Sequence, residues 1–193
     1  MSLLINFGLY QIGWFAIAVG AANDRPWLGM GLGLAAIGVH LLLAHGWLRH
    51  LSLVLAAGVL GLAFDSLQLW VGVFRFPSGV IVQWLAPPWD VVLWMQFATI
   101  LPFCLRWLSR RYLLGSVLGF IGGPLAFYAG ERLGAISFLS PRLLHFAVLG
   151  VVWALAFPLL IWLSDTIVLA RGLGGRYRFT SSGKNATAKH TPA

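Results

Sequence analysis

Five side chains of this chain are of types that do chemistry and stand where hydrocarbon should be: Asp65, Gln68, Tyr128, Glu131 and His145. Ionisable groups inside membrane-length apolar stretches cost a few kcal/mol each on insertion scales, so each is a functional candidate by default. Asp65 falls 14 residues into the apolar run that begins near residue 51, roughly 21 Å along a helix. Glu131 lies 18 residues into the run that begins near 113 and stands next to Arg132. Adjacent helical residues point about 100° apart, so the partner of Glu131 is expected on another helix, with Arg142, His145 and Arg75 in reach. Around the two carboxylates the same leaflet collects Gln68, Trp70, Trp84, Trp89, Asp90, Trp94, Gln96, Tyr128 and His145. These residues read in two ways. One is a polar pocket under the outer membrane face, roofed by residues 75–88; the other is an interhelical hydrogen-bond cluster, each bond worth about 0.6 kcal/mol.

Other motifs carry less chemistry. His40, His45 and His50 recur at intervals of five, which turns each side chain by about 140° and does not give the i,i+4 ligand pair of a metal helix; no metal site is expected. GMGLGLAAIG at 29–38 has the spacing of a dinucleotide fingerprint without the strand and βαβ unit around it. Gly29, Gly33, Gly58, Gly61, Gly115, Gly119 and Gly122 read instead as small residues for close helix packing. Pro102, Pro124 and Pro158 interrupt the last three apolar runs and should kink their helices, a feature shared with transporters whose helices break near the midplane. The single cysteine, Cys104, excludes an intramolecular disulfide and a multi-cysteine metal site. Nucleophile elbow, phosphate loop and zinc-protease signatures are missing from the sequence, so it displays no enzyme class and implies no cofactor.

The elements that must position these residues follow from composition. Of 193 residues, 60% are hydrophobic and 9% charged, against about 45–50% and about 25% in soluble domains. With a mean hydropathy of +0.87, so much apolar surface is compatible with a bilayer and not with water. A spanning helix needs about 20 apolar residues. Six stretches qualify, at about 3–22, 27–46, 51–74, 89–108, 113–133 and 143–164. Pro26, Pro88 and Pro141 sit where helices should begin. The expectation is an all-α membrane protein with six transmembrane helices over residues 1–165, followed by a basic, disordered tail over 166–193.

Lys and Arg set the orientation. With the N-terminus cytoplasmic, the inside carries nine basic residues (Arg49, Arg106, Arg110, Arg111, Arg171, Arg176, Arg178, Lys184 and Lys189) and the outside four (Arg25, Arg75, Arg132 and Arg142). Both termini are therefore expected inside, with Trp27, Trp84 and Trp89 at the outer interface and Trp47, Trp107 and Trp162 at the inner one. The first apolar run has no Lys or Arg before it and is too long for a typical signal-peptide core, which argues against a cleaved leader. Five of the thirteen basic residues lie in the last 23 positions, so the formal charge of +8 reflects topology and not nucleic-acid binding. The tail could hold to anionic headgroups at about 1 kcal/mol per basic residue, and its Asn185-Ala186-Thr187 sequon lies on the wrong side for glycosylation.

Residues 61–69 (GLAFDSLQL) and 124–133 (PLAFYAGERL) share Leu-Ala-Phe at an offset of 63, which aligns Asp65 with Tyr128 and Gln68 with Glu131. Both pairs are i,i+3 and so share a helix face. The echo reads either as related hairpins or as coincidence among leucine-rich helices.

QWLAPPWDVVLW at 83–94 looks like the proline and tryptophan-rich stretch of tryptophan-rich sensory, translocator-type proteins, although those have five spans with the stretch near the start. Through APPWDVVLW, the RWL of 106–108 and GGPLAFYAGERLGA at 122–135, the chain up to about 165 is more similar to a family of small bacterial inner-membrane proteins known only as a domain of unknown function. That resemblance implies a multi-pass bacterial inner-membrane protein and carries no activity. The functional expectation is a polar site under the outer face that binds or processes a lipid or other amphipathic molecule, with membrane lipids and a membrane protein as the partners in view and no nucleic acid. A proton-coupled transporter and a structural subunit of a membrane complex are the alternatives.

Overall fold

A computed structural model describes residues 1–169 and is helical almost throughout. Among the described residues, five helices are long and apolar enough to cross a membrane: α1 (Leu3–Ala22), α2 (Pro26–Leu43), α3 (Trp47–Trp70), α5 (Tyr112–Leu133) and α6 (Arg142–Ser164), which a π turn prolongs over Asp165–Leu169. The helix thus runs past residue 165 where a tail was expected, and residues 170–193, including the sequon and the basic cluster, lie outside the described residues. Ser2 caps α1 by accepting from Ile5 N–H, and Pro26 opens α2 at a position where the missing N–H costs nothing. Gly46, at φ 75°, supplies the left-handed residue between α2 and α3. The connection is therefore tighter than the gap expected between the stretches 27–46 and 51–74, and Trp47 to His50 form the first turn of α3.

The fourth apolar stretch does not form one spanning helix. α4 occupies Pro88–Ala98, 11 residues, and the chain then proceeds in tight turns to a short 3₁₀ helix at Arg106–Leu108. Pro102 is the physical reason. It cannot donate to Ala98, its ring would strike that carbonyl, and it biases Leu101 away from helical dihedrals. The backbone is satisfied by 3₁₀-type bonds instead, Thr99 N to Gln96 O at 3.1 Å and Ile100 N to Phe97 O at 3.2 Å. Non-helical backbone at membrane depth is tolerated where protein covers it, and Thr99, Ile100, Leu101 and Pro102 are all buried. Pro124 and Pro158, by contrast, sit inside continuous helices.

α1 packs on α2 and α5 on α6, while α3 and α4 lie between the two hairpins. Small residues set the spacing. A Cβ on Gly29 would strike the backbone of Ala16 and Ile17, one on Gly61 would enter the Trp94 ring, and one on Gly119 would strike the Trp153 carbonyl. Six of the seven packing glycines read from the sequence play that part; the seventh, Gly122, faces open space. At one end of the bundle, β1 (Phe74–Arg75) pairs antiparallel with β2 (Ser137–Phe138), Phe74 opposite Phe138. Because β1 follows α3 and β2 follows α5, both helices end at this face. The segment between β1 and α4 is pinned over it: Ser78 Oγ donates to Ala21 O at 2.6 Å and Ala86 N to Ser66 Oγ at 2.9 Å.

Candidate functional site

The five residues singled out from sequence separate into two groups. Asp65 and Gln68 lie on one face of α3, fully buried, with Gln68 Nε2 donating to Asp65 Oδ1 at 2.9 Å. Trp94 Nε1 of α4 donates to Asp65 Oδ2 at 2.6 Å. Tyr128, Glu131 and His145 are elsewhere, at the α5–α6 turn. Glu131 forms an ion pair with Arg142 and accepts Phe138 N–H at 3.2 Å. His145 Nδ1 bonds the Leu139 carbonyl at 2.9 Å, and Tyr128 is exposed, its ring 6.3 Å from Phe146. The partner of Glu131 does come from another helix, and Arg142 is that partner. This second group closes a turn and does not meet Asp65.

The surrounding set also divides. Trp70 and Trp84 point outward, as do Trp27, Trp47, Trp107 and Trp162. Trp89, expected at the outer interface, is instead buried and donates from Nε1 to the Ser78 carbonyl at 3.0 Å. Gln96 donates to Leu9 O at 2.9 Å. Asp90, in the first turn of α4 and one turn before Trp94, is the second carboxyl of this buried group, beside Asp65. Two carboxylates side by side in a buried site repel, so one of the pair holds a proton. Asp65 accepts an N–H on each oxygen, as a carboxylate does, so Asp90 is the member placed to hold that proton. Asp90 Oδ2 is buried and has no hydrogen-bond partner among the described residues.

Asp90 also lines a cavity of about 360 Å³ between the two hairpins, within the roughly 300–1,000 Å³ of small-molecule sites. α1 contributes Tyr10, Trp14 and Ala18 to one wall; α5 contributes Gly119, Gly122, Gly123 and Ala126 to the wall opposite. α4 supplies Trp89, Trp94 and Phe97, and α6 supplies Trp153 and Phe157. The Trp94 and Trp153 rings stack at 4.7 Å, and the buried Trp153 Nε1 is a second polar atom without a partner among the described residues. Gly122 and Ala126 are exposed as well as cavity-lining, so the space reaches the outer surface of the bundle beside α5. Small residues on α5 create it: where Gly119 and Gly123 receive Trp153, Gly122 leaves a gap. Asp90 and the tryptophans were visible in the sequence as neighbours of the site; the cavity was not, because nothing in a glycine says whether its missing side chain is replaced by a ring or by space.

A separate buried cluster lies toward the opposite end. His40 of α2 and His50 of α3 bring Nε2 and Nδ1 to 3.4 Å, and Asn6 of α1 bonds His40 Nδ1 at 3.3 Å and Thr99 O at 3.0 Å. Asn6 Nδ2 must donate to the Thr99 carbonyl, so it donates to His40 as well, which puts the His40 proton on Nε2 and directs it at His50. Spacing rules for one helix missed the pair because the chain reverses between the two histidines. No group of three or more metal-ligating side chains occurs among the described residues.

A family model described as a protein of unknown function (DUF2878) matches residues 3–159, so the chain belongs to that family. No curated protein and no solved structure matches it.

Proposed function

We propose that this member of the DUF2878 family is an integral membrane protein that binds, or binds and processes, a lipid or other amphipathic molecule in the cavity between α1, α4, α5 and α6. One observation carries the reading: a largely apolar cavity of about 360 Å³ is lined by Asp90, a carboxyl whose buried Oδ2 has no hydrogen-bond partner among the described residues. An unmet polar atom in a membrane interior is costly, and an occupant with an apolar body and one polar end removes that cost. The opening beside Gly122 and Ala126 suits entry from the bilayer. The Asp65, Gln68 and Trp94 cluster lies behind Asp90, while Glu131, Tyr128 and His145 stay apart from it at the α5–α6 turn.

The same reading places the protein in a bacterial inner membrane with six crossings and both termini cytoplasmic. The excess of basic residues on one side supports the orientation. The roof segment and the shared ends of α3 and α5 support a sixth crossing, made by residues 88–111. The test is native mass spectrometry of protein taken from its membrane into lipid nanodiscs. The wild type is expected to carry a lipid or amphipathic adduct that is lost in Gly122→Leu, which adds bulk at the exposed edge of the cavity from a Cβ position with no atom within 4 Å. An adduct retained at equal abundance by Gly122→Leu refutes the site.

A further inference from the structure

The chemistry of the cavity wall selects the polar end of its occupant. Among the described residues that line it, Asp90 is the one charged side chain and Tyr10 the one other titratable group; the walls from α5 and α6 contribute none. Asp65 stands directly behind Asp90 on α3. A phosphate or carboxylate headgroup would enter beside two carboxyls with no Lys or Arg to meet it, and an uncompensated buried charge is strongly unfavourable. A cation meets the opposite situation. Asp90 Oδ2 has no hydrogen-bond partner among the described residues, and its carboxyl is the one charged group in the wall to meet a positive charge.

We propose that the site takes a lipophilic cation, of the amine or quaternary ammonium class, in exchange for the proton shared by Asp65 and Asp90. The inference rests on the cavity being a ligand site. Asp65 already accepts two N–H bonds, from Gln68 and Trp94, so it remains charged whether or not the proton is present. When the cation arrives, the O–H bond of Asp90 breaks, its proton passes to water, and the Asp90 carboxylate becomes the counter-ion. One positive charge enters for each that leaves, so the buried cluster keeps its net charge and the exchange avoids stranding an ion in low dielectric. Binding of this kind weakens as the solution is acidified, because protons compete for the same carboxylate.

The isosteric pair tetraphenylphosphonium and tetraphenylborate tests this, with protein in nanodiscs and empty nanodiscs as the blank. Wild type is expected to bind the phosphonium and not the borate, to release about one proton per cation in weak buffer, and to lose about tenfold in apparent affinity per pH unit over the competing range. Asp90→Asn should bind the phosphonium about tenfold or more weakly with no proton release, and Gly122→Leu should lose the phosphonium altogether. Equal binding of the borate, or phosphonium binding by wild type without proton release, overturns the exchange; the second reading needs no variant and so survives a failure of Asp90→Asn to fold. If Gly122→Leu blocks the probe while Asp90→Asn does not, the cation inference falls and the cavity stands. If Gly122→Leu blocks nothing, the cavity falls as well.

Discussion

Two glycines three residues apart on α5 should respond to the same substitution with opposite signs. At Gly122 an added Cβ meets nothing within 4 Å, whereas at Gly119 it lies 2.9 Å from Phe157 Cβ, with the Trp153 carbonyl oxygen nearer still. Alanine is favoured over glycine in a helix interior by up to about 1 kcal/mol, and a chain unfolded in detergent keeps part of its helix, so Gly122→Ala is worth between zero and that gain. Gly119→Ala receives the same gain but overpacks, which costs about 1–3 kcal/mol. The upper end applies, because the obstacle is the α6 backbone, which cannot rotate aside as a flexible side chain would. The two variants should therefore differ by about 2–3 kcal/mol, with Gly119→Ala below wild type and Gly122→Ala at or above it. Unfolding in mixed micelles with increasing dodecyl sulfate, followed by tryptophan fluorescence, measures both. Equal shifts in one direction would refute the α5–α6 register and with it the origin of the cavity.

Other expectations follow from the same geometry. Asp65→Leu orphans the Trp94 and Gln68 N–H groups at about 1 kcal/mol each, the low end because an unfolded chain in a micelle also finds partners; a loss of about 2 kcal/mol is expected in the same micelle titration. Asp65→Asn should lose half of that or less, since Gln68 can turn its unpartnered Oε1 toward the new amide, and equal losses for the two variants would contradict the hydrogen-bond assignment. Glu131→Gln breaks a pair whose Arg142 side chain is 53% exposed, so it should cost no more than about 1 kcal/mol, shrink further in high salt, and leave ligand capture unchanged; loss of the nanodisc adduct in this variant would move the site to the α5–α6 turn. For topology, with Cys104 replaced by serine, single cysteines at Gln83, which is exposed, and at Ser181 should label from opposite sides of the membrane with an impermeant maleimide. Labelling from one side contradicts the six crossings.

Much of the fold was legible in the sequence because a membrane span is nearly a local property. Each 20-residue run declares by its own transfer energy that it belongs in hydrocarbon, and Pro26, Pro88 and Pro141 mark the starts of α2, α4 and α6 to within a residue. Pro102 was equally visible, yet its consequence was not. A proline inside a span kinks a helix or ends it according to whether neighbouring protein covers the freed backbone, and here burial by the surrounding helices let α4 stop at Ala98.

The site was legible only as a pool of candidates. Asp65 and Gln68 share a face by the i,i+3 rule, and the structure keeps them together; Glu131 and Tyr128 obey the same rule and lie apart from them. Periodicity fixes where a side chain points about its own helix axis and says nothing of how that axis is turned against its neighbours. Sequence alone therefore determined that this chain is a helical membrane protein with buried ionisable groups to account for. Tertiary packing decided that Asp90 and not Glu131 is the carboxyl that joins Asp65, that His40 meets His50, and that Gly122 opens a cavity while Gly119 closes on Trp153, since each depends on which helices touch and at what register.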